Sequence, residues 1–247
     1  MIPLKVIVLA AAIGVLPVAA WLWIIVQYNR YHRQGESFLM RVFFWGVLAA
    51  IPASVIEIVL IETDSNNMII QAMETMWSYQ SMASLAPALI SAGLIALIEE
   101  FSKGIGVVVS VFSNKLKIYN DGLMFGILIG LAFAVTENGV YFANALNSRT
   151  IAEVWPIVVL RFLLSTSAHV IYTGLMGKYL ADGLIGRNYF AYLKAIFIPV
   201  GVHLGFNYLL GTQASWLVVV IIFAGMYLLW YYYHLNKWEK EKALQPL

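Results

Sequence analysis

Residues 121–138 read Asp121-Gly122-Leu-Met-Phe-Gly126-Ile-Leu-Ile-Gly130-Leu-Ala-Phe133-Ala-Val-Thr-Glu137-Asn138. Three glycines spaced four apart form a small-residue stripe on one face of a helix, a surface that another helix can approach closely. Glu137 and Asn138 interrupt the apolar run one turn beyond Phe133. A carboxylate at membrane depth is costly, so it faces a protein interior or an aqueous cavity. The stretch therefore reads as a membrane helix that packs tightly on a neighbour and also carries chemistry.

The whole chain fits that reading. Its 247 residues are 62% hydrophobic and 11% charged, with a mean hydropathy of +0.81. Soluble domains carry about 25% charged residues. The composition indicates an all-α, polytopic transmembrane bundle forming a single integral-membrane domain, 1–247, in the lipid bilayer of the cell membrane. A net charge of +2 gives no reason to expect nucleic acid. The absence of cysteine excludes disulfides, thiol nucleophiles and Cys-ligated metals. The apolar start runs on to about Val26 before meeting Arg30 and Arg33, too long for a typical signal-peptide core and better read as a first span.

A span needs about 20 apolar residues. Seven runs qualify, at 4–27, 38–61, 84–111, 120–143, 155–180, 192–211 and 215–234. The mixed segment 65–82 fits an interfacial helix or the start of the third span. Twelve of the fifteen Lys and Arg fall on one side of this arrangement, with Lys5, Arg149 and Arg161 as exceptions. The positive-inside rule then places the amino terminus outside and the carboxyl terminus in the cytoplasm. Trp21, Trp23, Trp77, Trp155, Trp216 and Trp230 suit interface anchors, or in part core.

Four successive spans carry the candidate Glu and His residues. Glu99-Glu100-x-x-Lys103 sits in the third. Adjacent helical positions point about 100° apart, so the two carboxylates address different surroundings. An exposed helix end with a local Glu99–Lys103 ion pair is the plain alternative. Glu137 ends the glycine stripe, and His169 follows Ser165-Thr-Ser-Ala. His203 and Asn207 lie one turn apart in the sixth span, where the Asn amide suits orienting the imidazole or donating to an oxyanion. A rise of about 1.5 Å per residue puts His169 and His203 at similar depth. Glu and His suit proton transfer and metal binding.

In order and placement these pieces resemble the PrsW family of intramembrane proteases, within the wider group that includes the CAAX-prenyl proteases. The resembling pattern is Glu99-Glu100-x-x-Lys103, Asp121-Gly122 through Glu137-Asn138, Arg161, His169, and His203-x-x-x-Asn207, over 84–211, the expected catalytic core. The resemblance implies an endopeptidase acting on membrane-anchored protein substrates, with anti-sigma-factor-like regulators among them. It leaves the cofactor open between none and a single Zn.

In the metal-free version Glu100 activates water, Glu137 aligns it, His169 assists proton transfer, and His203 with Asn207 stabilises the oxyanion. In the zinc version Glu137, His169 and His203 hold the ion while Glu99 or Glu100 activates water, a ligand set that leaves an open position. There is no His-Glu-x-x-His motif. A non-catalytic scaffold and a proton-coupled transporter are the competing classes, although no internal repeat of the kind common in transporters is evident.

Overall fold

The computed structural model describes residues 8–9, 21–23, 25, 34–63, 85–113 and 115–243. These residues form an all-α bundle: α1 Glu36–Thr63, α2 Leu85–Val111, α3 Tyr119–Ser148, α4 Ile151–Leu160, a π-helical segment Arg161–Thr166, α5 Ser167–Ile185, α6 Tyr189–Leu210 and α7 Leu217–Ala243. Five stretches are long and apolar enough to cross a membrane: 36–56, 119–146, 151–185, 189–210 and 217–235. Helix α2 has span length, 27 residues, but carries Glu99, Glu100 and Lys103 near its middle. The chain is thus a multi-pass membrane protein.

Helices α1 to α3, α6 and α7 fall where spans were expected. The fifth expected span, 155–180, is longer and is broken by the π-helical turn. The expected first span 4–27 lies largely outside the described residues, and the segment 65–82 lies wholly outside them. Side chains such as Phe101, Phe197 and Phe223 stand out from the bundle surface, an arrangement that suits contact with lipid chains. Trp155, Trp216 and Trp230 are exposed as interface anchors would be, whereas Trp21 is core. Trp77 lies outside the described residues.

Helix starts have local causes. Asp121 Oδ2 accepts from the backbone N–H groups of Lys117 and Ile118 at 2.8 and 3.1 Å. Glu153 accepts from the backbone N–H and hydroxyl of Thr150 at 2.7 and 2.8 Å. Both satisfy donors at a helix start that would otherwise lack partners. Asn188 Oδ1 accepts from Phe190 N–H at 3.1 Å to open α6, just after Arg187 turns the chain with a φ of 51°. At the same end of the bundle, Gln34 Nε2 donates to the Lys115 carbonyl at 2.9 Å. Asn120 Nδ2 donates to the Tyr233 carbonyl at 3.2 Å.

The glycine stripe does what its spacing suggests. A Cβ on Gly126 would lie 2.1 Å from the Thr173 carbonyl oxygen, and one on Gly130 would lie 2.4 Å from that of His169. On the facing helix, a Cβ on Gly177 would meet the Gly122 carbonyl oxygen at 2.1 Å. Helices α3 and α5 therefore touch backbone to backbone. That contact sets His169 beside Gly130, two turns from Glu137 on α3.

Candidate active site

The ionisable residues gather where α2, α3, α5 and α6 meet. Lys103 is at the centre, with no exposed surface. Its ammonium donates to Glu100 Oε1 at 2.6 Å and to Glu99 Oε2 at 3.3 Å. It also lies 3.0 Å from His169 Nδ1 and 4.2 Å from the centre of the Phe133 ring. The exposed helix end considered for Glu99–Lys103 is not what the chain forms: α2 continues two turns past Lys103.

An ammonium can only donate, so His169 Nδ1 is the acceptor and the ring proton sits on Nε2. That proton is directed at Glu137 Oε2, 2.8 Å away. The other Glu137 oxygen accepts from Arg161 Nη2 at 2.5 Å. Arg161 Nε donates to Asn138 Oδ1 at 2.6 Å, and Asn138 Nδ2 donates to Thr166 Oγ1 at 3.1 Å. Arg161 and Thr166 bound the π-helical segment, where the Thr166 hydroxyl satisfies the Arg161 carbonyl at 3.3 Å. Such turns occur often at functional sites. Here one carries the cation that holds Glu137.

On the far side of Lys103, Glu100 Oε1 is shared with His203 Nδ1 at 2.9 Å. A carboxylate on Nδ1 fixes that nitrogen as the donor and leaves Nε2 as the basic atom. The His203 ring stacks on Tyr172, with centroids 4.8 Å apart and planes 24° apart.

The two adjacent carboxylates do face different surroundings. Glu99 lines a polar cavity of about 220 Å³ together with Glu137, Arg161, His169, His203 and Asn207. Glu100 instead borders an apolar cleft of about 540 Å³ between α2 and α6. It is almost fully buried, and its Oε2 has no hydrogen-bond partner.

All six expected site residues, Glu99, Glu100, Glu137, His169, His203 and Asn207, thus come to one region, though in different settings. Ligand atoms of Glu99, Glu137 and His169 lie within 4.8 Å of one another. His203, expected in the zinc set with Glu137 and His169, is turned to Glu100, and Glu99 stands in its place. An imidazole and two carboxylates are donor types that fit catalytic zinc.

Sequence reasoning gave no role to Arg161, Asn138 or Tyr172, and gave Lys103 only a local pairing. The signal for Arg161 was its failure to fit the charge sidedness of the loops. Tyr172, three residues after His169, carried none.

Comparison with known proteins gives the family. Residues 34–233 match the family described as PrsW family intramembrane metalloprotease. The protease PrsW of Shouchella clausii is 26% identical over 217 residues, covering 86% of this chain and 86% of that protein. The protease PrsW of Geobacillus kaustophilus is 29% identical over 209 residues, 82% of this chain and 80% of that protein. That of Clostridioides difficile is 28% identical over 115 residues, 45% of each. No solved structure matches the chain. A family match over most of the length, with a buried Glu/Glu/His cluster at the meeting point of its helices, supports enzymatic activity, and the chain belongs to the PrsW family of intramembrane metalloproteases.

Proposed function

We propose that this protein is an endopeptidase that hydrolyses peptide bonds of membrane-anchored proteins, regulators of the anti-sigma-factor kind among them, at the cavity lined by Glu99, Glu137, His169 and His203. The observation that carries the reading is the convergence of Glu99, Glu137 and His169 from three helices onto one polar cavity. The segment 84–211, which holds every one of these residues, is the catalytic core. The amino terminus lies outside and the carboxyl terminus in the cytoplasm. In support, Gln34 and Lys115, from two of the positively charged loops, sit at one end of the bundle.

Glu99, Glu137 and His169 would hold a zinc ion, with the His169 proton moved from Nε2 to Nδ1 and Lys103 left to Glu99 and Glu100. Such an ion supplies Lewis acidity toward a carbonyl oxygen and acidifies water. The other roles belong to the protein. His203 takes the proton of the attacking water on Nε2, and Glu100 orients it through Nδ1, the second group fixing the tautomer of the first. Glu100 thus acts through His203 rather than on water directly. Lys103 and Arg161 offset the carboxylates of Glu99, Glu100 and Glu137, and Arg161 keeps Glu137 turned to His169. Asn207 Nδ2 donates to the oxyanion.

The test is mass-spectrometric detection of cleavage of tethered single-span peptides in liposomes, with Glu99→Gln and His203→Ala proteins alongside. A product made by the unmodified protein and lost in both variants is expected. A product made equally by both variants would refute the assignment. Zinc binding is read separately, by a rise in the thermal midpoint on adding zinc that His169→Ala abolishes. No such rise in the unmodified protein would remove the metal from the account.

A further inference from the structure

We propose that the hydroxyl of Tyr172 is a hydrogen-bond donor to the carbonyl oxygen of the scissile peptide bond, a catalytic role that rests on the endopeptidase reading above. Tyr172 lies in α5, one turn beyond His169, and its side chain forms part of the wall of the polar cavity. The ring is held on three sides. It stacks on His203 at 4.8 Å and meets the rings of His169 and Phe206 edge-on at 6.3 and 6.2 Å. The residue has no exposed surface, yet its hydroxyl has no partner.

A buried hydroxyl is normally bonded, and leaving one unpaired is unfavourable. Packing alone would be served as well or better by phenylalanine. The hydroxyls of Ser110 and Thr173 are also buried without partners, but neither lines the cavity. Tyr172 is thus the buried, partnerless hydroxyl found in the cavity wall among the described residues. It is also pinned against the imidazole to which the proton of water is assigned.

The chemistry of hydrolysis asks for such a donor. The water oxygen bonds to the carbonyl carbon, its proton passes to His203, and the C=O π pair moves onto oxygen. Two carboxylates, Glu99 and Glu137, line the cavity where that new negative charge appears, and the nearby cations Lys103 and Arg161 are already engaged with them. The phenolic O–H of Tyr172 donates to the oxyanion and keeps its proton. When the C=O bond re-forms, the C–N bond breaks and the leaving nitrogen takes the proton from His203. A donor with fixed orientation needs no reorganisation as the charge appears.

The test is Tyr172→Phe in the full chain, which removes one oxygen atom and keeps the packing. It is assayed in liposomes with a single-span peptide that the unmodified protein cleaves. Removing one oxyanion donor lowers kcat by about 10²–10³-fold, and KM should stay within a factor of two. The thermal midpoint should hold or rise, because an unpaired hydroxyl has gone. A single-span peptide with a phosphinate at the scissile position, mimicking the tetrahedral state, should bind more weakly by the same factor as kcat falls. Unchanged kcat, or a fall that tracks a lowered midpoint, would overturn the catalytic role while leaving the protease reading in place. An unmodified protein that cleaves no peptide in a broad panel would overturn both.

Discussion

Replacing Lys103 with methionine should destabilise the protein severely. The ammonium has no exposed surface and touches Glu99, Glu100 and His169 at once. Methionine has similar reach and no charge, so the change isolates the charge. Glu99 faces a cavity that water can enter, and its loss is partly offset there. Glu100 has no such recourse, since its side chain is fully buried, Oε2 has no partner and Oε1 would keep His203 alone. Removing one member of a buried pair costs about 3–5 kcal/mol, and the value for Lys103→Met should lie in that range. The assay is unfolding in mild detergent, followed by near-ultraviolet circular dichroism. Adding Glu100→Gln removes the stranded charge, so the double variant should recover at least half of the loss. A single-variant loss below about 1 kcal/mol, the value of an exposed pair, would show that water reaches this cluster. Strict additivity in the double variant would show that Lys103 and Glu100 do not act on each other.

Other outcomes follow from the same geometry. Gly126→Ala places a methyl group 2.1 Å from the Thr173 carbonyl oxygen and should cost about 1–3 kcal/mol. Gly139→Ala, whose added methyl meets nothing within 4 Å, should hold or raise the thermal midpoint, since glycine inside a helix is the weaker helix former. Asn138→Leu strips Arg161 Nε of its acceptor and Thr166 of its donor, and should cost about 1–3 kcal/mol. It should also reduce peptide cleavage by letting Glu137 swing, which single-turnover rates would read. If Glu100 acts through His203, the kcat losses of Glu100→Gln and His203→Ala should not multiply. The double variant should be about as slow as His203→Ala alone, and a product of the two losses would separate the residues.

Much of this architecture was legible because lipid imposes length and apolarity on each crossing. The α1, α2 and α3 boundaries fall within a few residues of the expected runs, apart from the longer end of α3. The Gly122-Gly126-Gly130 stripe foretold the α3–α5 contact. The π-helical turn at Arg161–Thr166 was not legible, because one extra residue in a helical turn leaves no mark in an apolar pattern. Five of the six candidate residues came from a single argument, that an ionisable group in lipid needs a reason, and Asn207 from standing one turn beyond His203. That argument cannot assign partners. Which carboxylate faces the polar cavity depends on the rotation of α2 about its axis, set by packing against α1, α5 and α6. Tyr172 escaped because an aromatic residue in a membrane helix looks like core filling until its hydroxyl is seen without a partner.

The backbone contact between α3 and α5 bears on how such an enzyme could open. Where carbonyl oxygens meet glycine Cα atoms there is no side chain to change rotamer and no slack to take up a slide. The two helices behave as a single plank carrying Glu137 at one edge and His169 at the other. Helices α2 and α6 differ. A Cβ on Gly93 would lie an unstrained 3.8 Å from Leu204, and one on Gly201 or Gly205 would meet nothing within 4 Å. Any movement that admits a polypeptide should therefore occur where Glu99, Glu100 and His203 ride, against a stationary Glu137–His169 pair. The reactive arrangement would be complete only when the moving half returns. Amide hydrogen exchange should divide the molecule along that line, slow in α3 and α5 and faster in α2 and α6.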